Sequence, residues 1–476
     1  MKTFLLSILI FLLIIEVSTL VEGKYLSPLE QFKLGIKIDK IVCKENLVIT
    51  IKSSNGHPAC VRQETLEKLI QRGWATALDL VTQQTDNNIP ADKPSMVEPQ
   101  SIKETADLNN EFAFEIFSNL TEEKEENTFF SPYSISSAFS ILYEGARGTT
   151  QDEIQSVFHF IKDDQTRRNY TYTILSELNK PDQNYTLSSA NALWVQDKFP
   201  ILKEFTDVAE TYYLAKAENL DFVTHSEDSR QTINKWVEEK TNDKIKDLLP
   251  EGSIDSLTRA VITNAVYFKG NWTIQFDEKL TQDEDFKISE QDIVKVPMMN
   301  VHEYFNYGSS DDLQILQMPY LGDNLSMLVL LPKNNDLQSL EEKLSVTNLN
   351  EWKSKLTRKE VQVYLPKFTF NTKYRLNDNL IAMGIPSAFD PNKADLSGIT
   401  GKSDLYITSV FHQAFVAVDE QGTEAAASTG IVSGVTSVRP PPEIFRADHP
   451  FIFLIQDDNT GMILFMGKVV DPTKAS

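Results

Sequence analysis

Apolar positions recur with two different periods along the long segment that follows residue 104. In its first half they return every three or four residues, which is the spacing of amphipathic helices. This pattern predicts helices at LNNEFAFEIFSNLTE (108–122), SISSAFSILYEGARG (134–148) and SRQTINKWVEEKTNDKIKDLL (229–249). In the second half, short apolar or alternating runs predict strands. These runs are RAVITNAVYFKG (259–270), QILQMPY (314–320), LSMLVLLP (325–332), EVQVYLPKFTF (360–370), LYITSVFHQAFVAVDE (405–420) and FIFLIQD (451–457). The separation of helical from strand-rich stretches favours one α+β domain over 105–474, with large and mostly antiparallel sheets.

A much smaller pattern precedes this domain, in residues 24–82. NLVITIK (46–52) alternates as a strand, SSNG supplies turn residues, and HPACV (57–61) follows as a second strand. The two cysteines of the chain, Cys43 and Cys60, both lie in this region. An even pair in an exported chain favours a disulfide, and two cysteines with one nearby histidine are too few for zinc. We therefore expect a small domain over 24–82 with a Cys43–Cys60 disulfide, and no metal site.

The first 23 residues are typical of an export signal. Lys2 precedes an apolar run from Phe4 to Ile15, and a region of small residues ends near Gly23. The apolar run is shorter than the stretch of about 18 residues that a membrane span needs. We expect a signal peptide over 1–23 and a secreted protein. The alternative is an uncleaved segment that anchors the chain at the cell surface.

Residues 83–104 join the two regions and are polar. They include three prolines, Pro90, Pro94 and Pro99. Such a composition buries too little apolar surface to order itself, so it predicts a disordered linker.

Charge and motif content narrow the functional class. The chain of 476 residues carries a formal net charge of −22, and a field of that sign repels nucleic-acid phosphates. The sequence contains no G-x-S-x-G, H-E-x-x-H or G-x-x-x-x-G-K-[ST] motif. His302 precedes Glu303, but no second histidine follows to complete a zinc helix. We expect no cofactor and no catalytic residue, although a triad scattered along the sequence stays open.

One segment of the strand-rich half has an unusual composition. EQGTEAAASTGIVSGVTSVRPPPE (420–443) separates two strongly apolar strand predictions. Small residues dominate its first part, and no proline occurs from Glu420 to Arg439, so each amide there can join a strand ladder. A strand that inserts between others needs side chains that fit at alternate positions. One such set is small and uncharged, and consists of Thr423, Ala425, Ala427 and Thr429.

Six segments, in this order along the chain, resemble the serpin family of protease inhibitors. They are NTFFSPYSISSAFSILYEGARGTT (127–150), TNAVYFKGNW (263–272), QVYLPKFTF (362–370), DLSGIT (395–400), VFHQAFVAVDEQGTEAAAST (410–429) and ADHPFIFLIQD (447–457). The resemblance implies an α+β serpin-like fold with three β-sheets, about nine helices and an exposed reactive-centre loop. It also implies that a protease cleaves this loop, which then inserts as a new strand of the large sheet and traps the acyl-enzyme. The native state is then metastable.

The resemblance assigns the hinge and the reactive bond of that loop. The hinge corresponds to Glu420, Gly422, Thr423, Glu424, Ala425, Ala426, Ala427, Ser428 and Thr429. Counting fourteen residues on from Gly422, the family's usual spacing, places the reactive bond at Thr436–Ser437. Val435 is the alternative position, while Arg439 is disfavoured because Pro440 follows it.

Two further groups of residues carry over from the family. The first matches a polar cluster that controls opening of the large sheet, and consists of Ser131, Ser134, Asn264 and His412. Buried hydroxyl, amide and imidazole groups can satisfy one another, so such a cluster would break as a unit. The second group, Trp272 and Lys367, matches the place where the loop first enters the sheet. There we expect Lys367 to pair with Glu420.

Together with the export signal, the resemblance implies a secreted suicide inhibitor of serine endopeptidases, or of cysteine endopeptidases as in some family members, and not an enzyme. Val435 and Thr436 suit an elastase-like or subtilisin-like protease with a small apolar pocket. The acidic chain lacks the basic helix of polyanion-activated members, so we expect neither heparin nor nucleic acid as a partner, and we expect a monomer. One alternative is a non-inhibitory serpin-fold binding protein. Another is a surface-anchored interaction protein in which the 24–82 domain carries the function.

Overall fold

The computed structural model describes residues 27–33, 41, 43–44, 47–52, 57–62, 65–66, 68–69, 72, 74–76, 94–97, 99–122, 126–178, 185–322, 324–423 and 441–474. The chain divides into two compact units, Met1–Pro90 and Ala91–Ser476. Several predictions lie outside the described residues: the signal segment 1–23, the hinge residues 424–429 and the reactive bond Thr436–Ser437.

The described residues of the first unit include a helix, a few further helical residues at 65–66 and 68–69, and three short antiparallel strands. Helix α1 (Pro28–Lys33) precedes the sheet. In the sheet, β1 (Leu47–Lys52) lies between β2 (Pro58–Arg62) and β3 (Ala75–Thr76). β1 and β2 confirm the strands predicted over 46–52 and 57–61.

The predicted disulfide of this unit is present. Cys43 and Cys60 are bonded, and Cys60 lies on β2 opposite Ile49 of β1. The cross-link limits the conformations of the unfolded chain, which favours the folded state. The domain boundaries 24–82 stay a prediction.

Ten α-helices lie in the described part of the second unit. They are α2 (Pro99–Thr121), α3 (Pro132–Gly145), α4 (Gly148–Phe158), α5 (Asp164–Leu178), α6 (Lys203–Tyr213), α7 (Ser226–Lys240), α8 (Leu337–Glu342), α9 (Val346–Ser354), α10 (Asn377–Met383) and α11 (Ser397–Thr400). α3 is buried along almost its whole length. The Ser131 side chain caps it by accepting from the amide of Ser134, and Pro132 opens the first turn, where its missing N–H costs little.

The prediction of a disordered linker over 83–104 is wrong for the last part of that range. Pro99 begins α2, and proline is well suited to the first turn of a helix because its φ angle is already helical. Just before it, the amides of Ser95 and Val97 donate to side-chain oxygens of Asn169 and Thr173, each at 3.1 Å. These contacts with α5 hold the chain that leads into the helix.

The helix predicted over 229–249 ends earlier than expected, at Lys240. Beyond it Asn242, Asp243 and Asp247 have φ angles of 51°, 61° and 51°, in the left-handed region that Asn and Asp adopt more readily than most residues. The apolar residues that follow, such as Leu248, are buried in the core from an irregular segment instead of a helix.

The six-stranded sheet holds the predicted site. Its order is β13 (Phe368–Arg375), β14 (Ser409–Val418), β15 (Gly422–Thr423), β7 (Ala260–Asn271), β5 (Tyr185–Gln196) and β6 (Lys216–Leu220). β14 also pairs directly with β7, in parallel, from Ser409 opposite Val261 to Phe415 opposite Tyr267. Beyond this stretch the two-residue strand β15 separates them. The two long strands are therefore joined along one part and hold the start of the loop segment between them further on.

After the loop segment, the chain continues into the nine-stranded sheet. Its order is β16 (Glu443–Arg446), β12 (Thr357–Pro366), β9 (Ile293–Ser309), β10 (Leu313–Pro319), β11 (Leu325–Pro332), β17 (Phe451–Asp457), β18 (Ile463–Val469) and β4 (Thr128–Phe130), with β8 (Gln282–Lys287) paired to β9. β16 is parallel to β12, and the other described pairs of this sheet are antiparallel.

This architecture confirms the predicted α+β class with three sheets, one of which belongs to the first unit. Every residue of β11 and β18 is buried, as expected of central strands that are covered on both faces. In the part of the chain that the structure describes, no helix has the length and apolarity that a membrane crossing requires.

Candidate functional site

A tight turn connects β14 to the first residues of the loop segment. The amide of Asp419 donates to the carbonyl oxygen of Gly422 at 2.9 Å. The Asp419 carboxylate accepts from the amides of Gln421 and Gly422 at 2.9 and 3.2 Å, which is the local bonding that makes aspartate a turn former. Burial raises the pKa of the Asp419 carboxyl. The sequence DEQG therefore reverses the chain and directs it between β14 and β7.

Gly422 and Thr423 occupy positions inside the six-stranded sheet. Gly422 lies opposite Asn271 and Thr423 opposite Gly270 of β7, while Thr423 also pairs with Val418 of β14. A Cβ atom at Gly422 would lie 2.1 Å from the Gly270 carbonyl oxygen. Only glycine fits this close approach without a shift of β7. Two of the predicted hinge residues therefore lie within the sheet.

Thr423 occupies a buried position, the Thr423 seat, between β14 and β7 and beside two stacked aromatic side chains. It is fully buried, and its hydroxyl oxygen lies 2.9 Å from the Tyr320 hydroxyl. The Tyr320 ring stacks on Trp272 with centroids 4.5 Å apart, and the Trp272 indole N–H donates to the Asp419 carbonyl at 3.0 Å. Burial raises the pKa of Tyr320 far above its ordinary value, so the phenol keeps its proton. Trp272 was predicted here, whereas Tyr320 was not.

Glu420 is anchored just before the seat. It is buried, and its two carboxylate oxygens accept from Lys367 Nζ at 2.7 Å and from the Thr281 hydroxyl at 2.8 Å. Burial alone would raise the pKa of Glu420, but the hydrogen bonds from Lys367 and Thr281 outweigh it and lower the pKa. Lys367 separates β12 from β13, so it holds the turn to the junction of two sheets. The expected Lys367–Glu420 pair is present, and its effect on loop movement stays a prediction.

Ser131, Ser134, Asn264 and His412 come together at the N-terminus of α3, against β7 and β14. His412 is opposite Asn264 in the parallel pairing, and its Nδ1 is hydrogen-bonded to the Asn264 Oδ1. The Ser131 amide donates to His412 Nε2 at 3.1 Å, so the proton of the neutral ring lies on Nδ1. Burial lowers the pKa of His412 to about 3, and the ring is therefore neutral at physiological pH.

The Asn264 amide joins this cluster to a third strand. Its Nδ2 donates to the Ser134 carbonyl at 2.8 Å and also contacts the Asn191 Oδ1 of β5. Ser189, also on β5, places its hydroxyl oxygen 3.3 Å from that of Ser134. Separation of β14 from β7 would break the His412–Asn264 bond and expose buried polar groups. The sequence did not reveal Asn191 and Ser189, because only the β5–β7 register brings them here. Control of sheet opening by the cluster stays a prediction.

A family profile described as "Serpin (serine protease inhibitor)" matches residues 107–472. The chain belongs to the serpin family. The resemblance drawn from the six segments is therefore confirmed, and membership supports protease inhibition as the general function of this serpin. Residues 24–82 lie outside the match.

Individual relatives span nearly the whole matched region. An uncharacterised serpin-like protein of Methanosarcina acetivorans is 42% identical over 368 residues, which cover 77% of this chain and 86% of the relative. Human leukocyte elastase inhibitor is 37% identical over 381 residues, with 78% and 100% covered. Among solved structures, Serpin48 of the insect Tenebrio molitor superposes with a TM-score of 0.71 at 34% identity, and covers 79% of this chain and 100% of its own. Human thyroxine-binding globulin, complexed with thyroxine, gives 0.71 at 32% identity with the same coverage.

Proposed function

We propose that this serpin is a secreted suicide inhibitor of serine endopeptidases that have a small apolar specificity pocket. After cleavage, the loop inserts as a full strand between β14 and β7 and carries the acyl-linked protease with it. The general function rests on family membership. The insertion step, the target class and secretion are the new parts of the proposal.

The observation that carries the proposal is the position of Gly422 and Thr423 in the sheet. These two residues already form the first pairs of a strand between β14 and β7. Continued insertion needs small side chains on the face that Thr423 shares. The sequence supplies Ala425, Ala427 and Thr429 at those alternate positions. A hinge of this composition supports an inhibitor over a non-inhibitory binding protein.

The target class follows from the residues before the proposed reactive bond Thr436–Ser437. Val435 and Thr436 are small and β-branched, which suits an elastase-like or subtilisin-like pocket. One relative, human leukocyte elastase inhibitor, is named for such a target. Arg439 would attract a trypsin-like protease, but Pro440 follows it and blocks most cleavage of that bond.

The test is incubation of the full chain with elastase, or with subtilisin, followed by denaturing electrophoresis. We expect a complex that survives SDS, and a released C-terminal fragment whose first residue is Ser437. Thr436→Arg is the matched variant: it should lose the complex with elastase and form one with trypsin. Cleaved serpin together with fully active protease would contradict the proposal and favour the binding-protein alternative.

Export is proposed from the N-terminal segment alone. Mass spectrometry of the protein from its native source should show a chain that begins near residue 24. A chain that retains residues 1–23 and fractionates with membranes would favour the surface-anchored alternative. A monomer is expected by size-exclusion chromatography, since insertion of one chain's loop into its own sheet needs no second copy.

A further inference from the structure

One face of the nine-stranded sheet lies beside the loop segment, on the outer side of β9, β12 and β16. Along β16 the alternation of a strand puts Phe445 in the core and Ile444 on this outer side, where it is 60% exposed. Residues opposite each other in paired strands share a face. The register therefore assigns further residues to this surface, the β16 face, namely Gln362 and Tyr364 of β12, His302 and Tyr304 of β9, and Arg446 of β16.

The β16 face combines an exposed apolar side chain with two arginine–tyrosine contacts. The Arg446 guanidinium lies 3.5 Å from the centre of the Tyr364 ring, and that of Arg358 lies 5.9 Å from the centre of the Tyr304 ring. Tyr304 is nevertheless 38% exposed. Tyrosine and arginine are enriched among the residues that dominate the energy of protein–protein interfaces. A single exposed apolar residue is normal on a surface, but Ile444 lies in a surface that also presents these side chains.

Both ends of the loop segment border the β16 face. On the exit side, the chain runs directly into β16. On the entry side, the Thr281 hydroxyl donates to Glu420 at 2.8 Å. The carbonyl of the neighbouring Leu280 accepts from Asn300 Nδ2 at 2.7 Å, and Asn300 lies opposite Tyr364. A protein that binds the loop between these ends therefore arrives beside this face.

The chain between the proposed reactive bond and the face is short and stiff. Ile444 is seven residues after Ser437, an extended length of about 25 Å at most. Pro440, Pro441 and Pro442 lie between them, and each proline fixes its own φ angle. A protease domain of about 250 residues has a radius of gyration of about 18 Å. A protease bound at the reactive bond is therefore wide enough to cover the β16 face.

We propose that the β16 face is a second contact surface for the target protease, an inference that rests on the proposed function. Residues after the cleaved bond lie on the leaving-group side of a protease cleft, so the face meets the rim of the protease on that side. Ile444 enters an apolar depression of this rim, and the Tyr304 ring packs beside it. A protease with a charged rim there is rejected, because its charge would lose water without gaining a partner. The face thus adds a specificity that the reactive bond does not carry.

The test is the second-order rate constant for inhibition of elastase by the full chain. This constant rises with the lifetime of the first complex, so a weaker contact lowers it. Ile444→Ala and Tyr304→Ala should each lower it about tenfold, the effect of truncating an important interface residue. The stoichiometry of inhibition should stay that of the parent, because the face acts at capture and not during insertion. Tyr304 lies outside the loop segment, so its variant does not change the fit of the loop in the cleft.

Two controls separate the face from general effects of surface truncation. Leu257→Ala removes a side chain that is 67% exposed, three residues before β7, whereas Thr423 pairs near the other end of that strand. It should leave the rate constant unchanged. Ile444→Leu keeps the apolar area and should also inhibit like the parent. Parent-like rate constants in both Ile444→Ala and Tyr304→Ala would overturn the proposal, and so would an equal fall in Leu257→Ala.

The proline spacer has its own test. Replacing Pro441 and Pro442 by glycine keeps Pro440 after Arg439 but makes the spacer flexible. The protease is then no longer held at one distance from the face, so the rate constant should fall. Adding Ile444→Ala to this variant should cause little further loss, since residues that act through one contact are not additive. Two losses that simply multiply would refute the role of the spacer.

Failure of the face and failure of inhibition give different results. If the serpin is only a substrate, no SDS-stable complex forms, but the rate at which elastase cleaves the loop should still fall in Ile444→Ala and Tyr304→Ala. A free peptide of residues 430–442 contains the same bond without the face, and it should be cleaved more slowly than the parent chain. Equal loop cleavage in the parent and both variants would refute the face, whatever the outcome for inhibition.

Discussion

The substitution Thr423→Arg tests the seat between β14 and β7 most directly. Thr423 is fully buried, and its neighbours are the Tyr320 hydroxyl and the Gly270 backbone. An arginine there meets two strands and a stacked ring, and no described contact of Thr423 involves an acidic side chain. It should therefore leave the sheet and prevent the first step of insertion.

The magnitude can be worked from this burial. Moving an unpaired charge into a buried site costs several kcal/mol even after relaxation. A cost of about 4 kcal/mol slows insertion by about a thousandfold, since about 1.4 kcal/mol corresponds to a factor of ten. In the proposed mechanism insertion competes with hydrolysis of the acyl-enzyme, so the variant should be cleaved and released as a substrate.

The assay is the stoichiometry of inhibition with elastase, together with the fraction of SDS-stable complex. Thr423→Ser is the matched control, because it keeps the hydroxyl near Tyr320 and the small size, and it should inhibit like the parent. Thr423→Val keeps the shape but leaves the buried Tyr320 hydroxyl without its partner, at a cost of about 1–3 kcal/mol. Before cleavage, the melting temperature of Thr423→Val should lie between those of the parent and of Thr423→Arg. Full complex formation by Thr423→Arg would refute the assignment of Thr423 as the first inserted residue.

Three further predictions concern other described contacts. The pKa of His412 is about 3 when folded and 6.5 ordinarily; its contribution to stability is therefore present above pH 6.5 and is lost as the pH falls towards 3. In urea unfolding, this group should lower the free energy of unfolding by about 2 kcal/mol between pH 7 and pH 5. His412→Gln should abolish that part of the decrease. Glu420→Lys places a cation beside Lys367 and should increase polymers on native gels after heating; an unchanged monomer fraction would count against the anchoring role. Replacing Cys43 and Cys60 by serine should destabilise the first unit by about 3 kcal/mol, and equal protease resistance of both forms would contradict this.

Much of the site could be predicted because its residues lie in continuous segments. The small residues after Glu420 and the segment that ends in Trp272 can each be recognised within one continuous stretch of sequence. Strands such as β11 and β17 could be predicted for the same reason, since an apolar run between turn residues needs no knowledge of its neighbours.

The parts that could not be predicted depend on register between distant segments. Tyr320 is the residue after β10, and it reaches Thr423 because it forms a β-bridge with Trp272, the residue after β7. Asn191 reaches Asn264 because β5 and β7 are antiparallel with these two residues opposite each other. The early end of α7 has a similar cause, since burial of Leu248 and its neighbours from an irregular segment outweighs the helical spacing of the sequence.

The register of β15 also connects the hinge to the polar cluster. Thr423 is opposite Val418 in β14 and Gly270 in β7. If antiparallel insertion continues, each later residue meets one earlier in both strands, so residue 429 would meet His412 and Asn264 together. The direct β14–β7 pairs begin at Phe415 and Tyr267, which residue 426 would reach. Insertion as far as residue 425 thus needs no break in that ladder, whereas insertion to 429 must break the His412–Asn264 bond. The predicted hinge ends at Thr429, so its length matches the distance from the seat to the cluster.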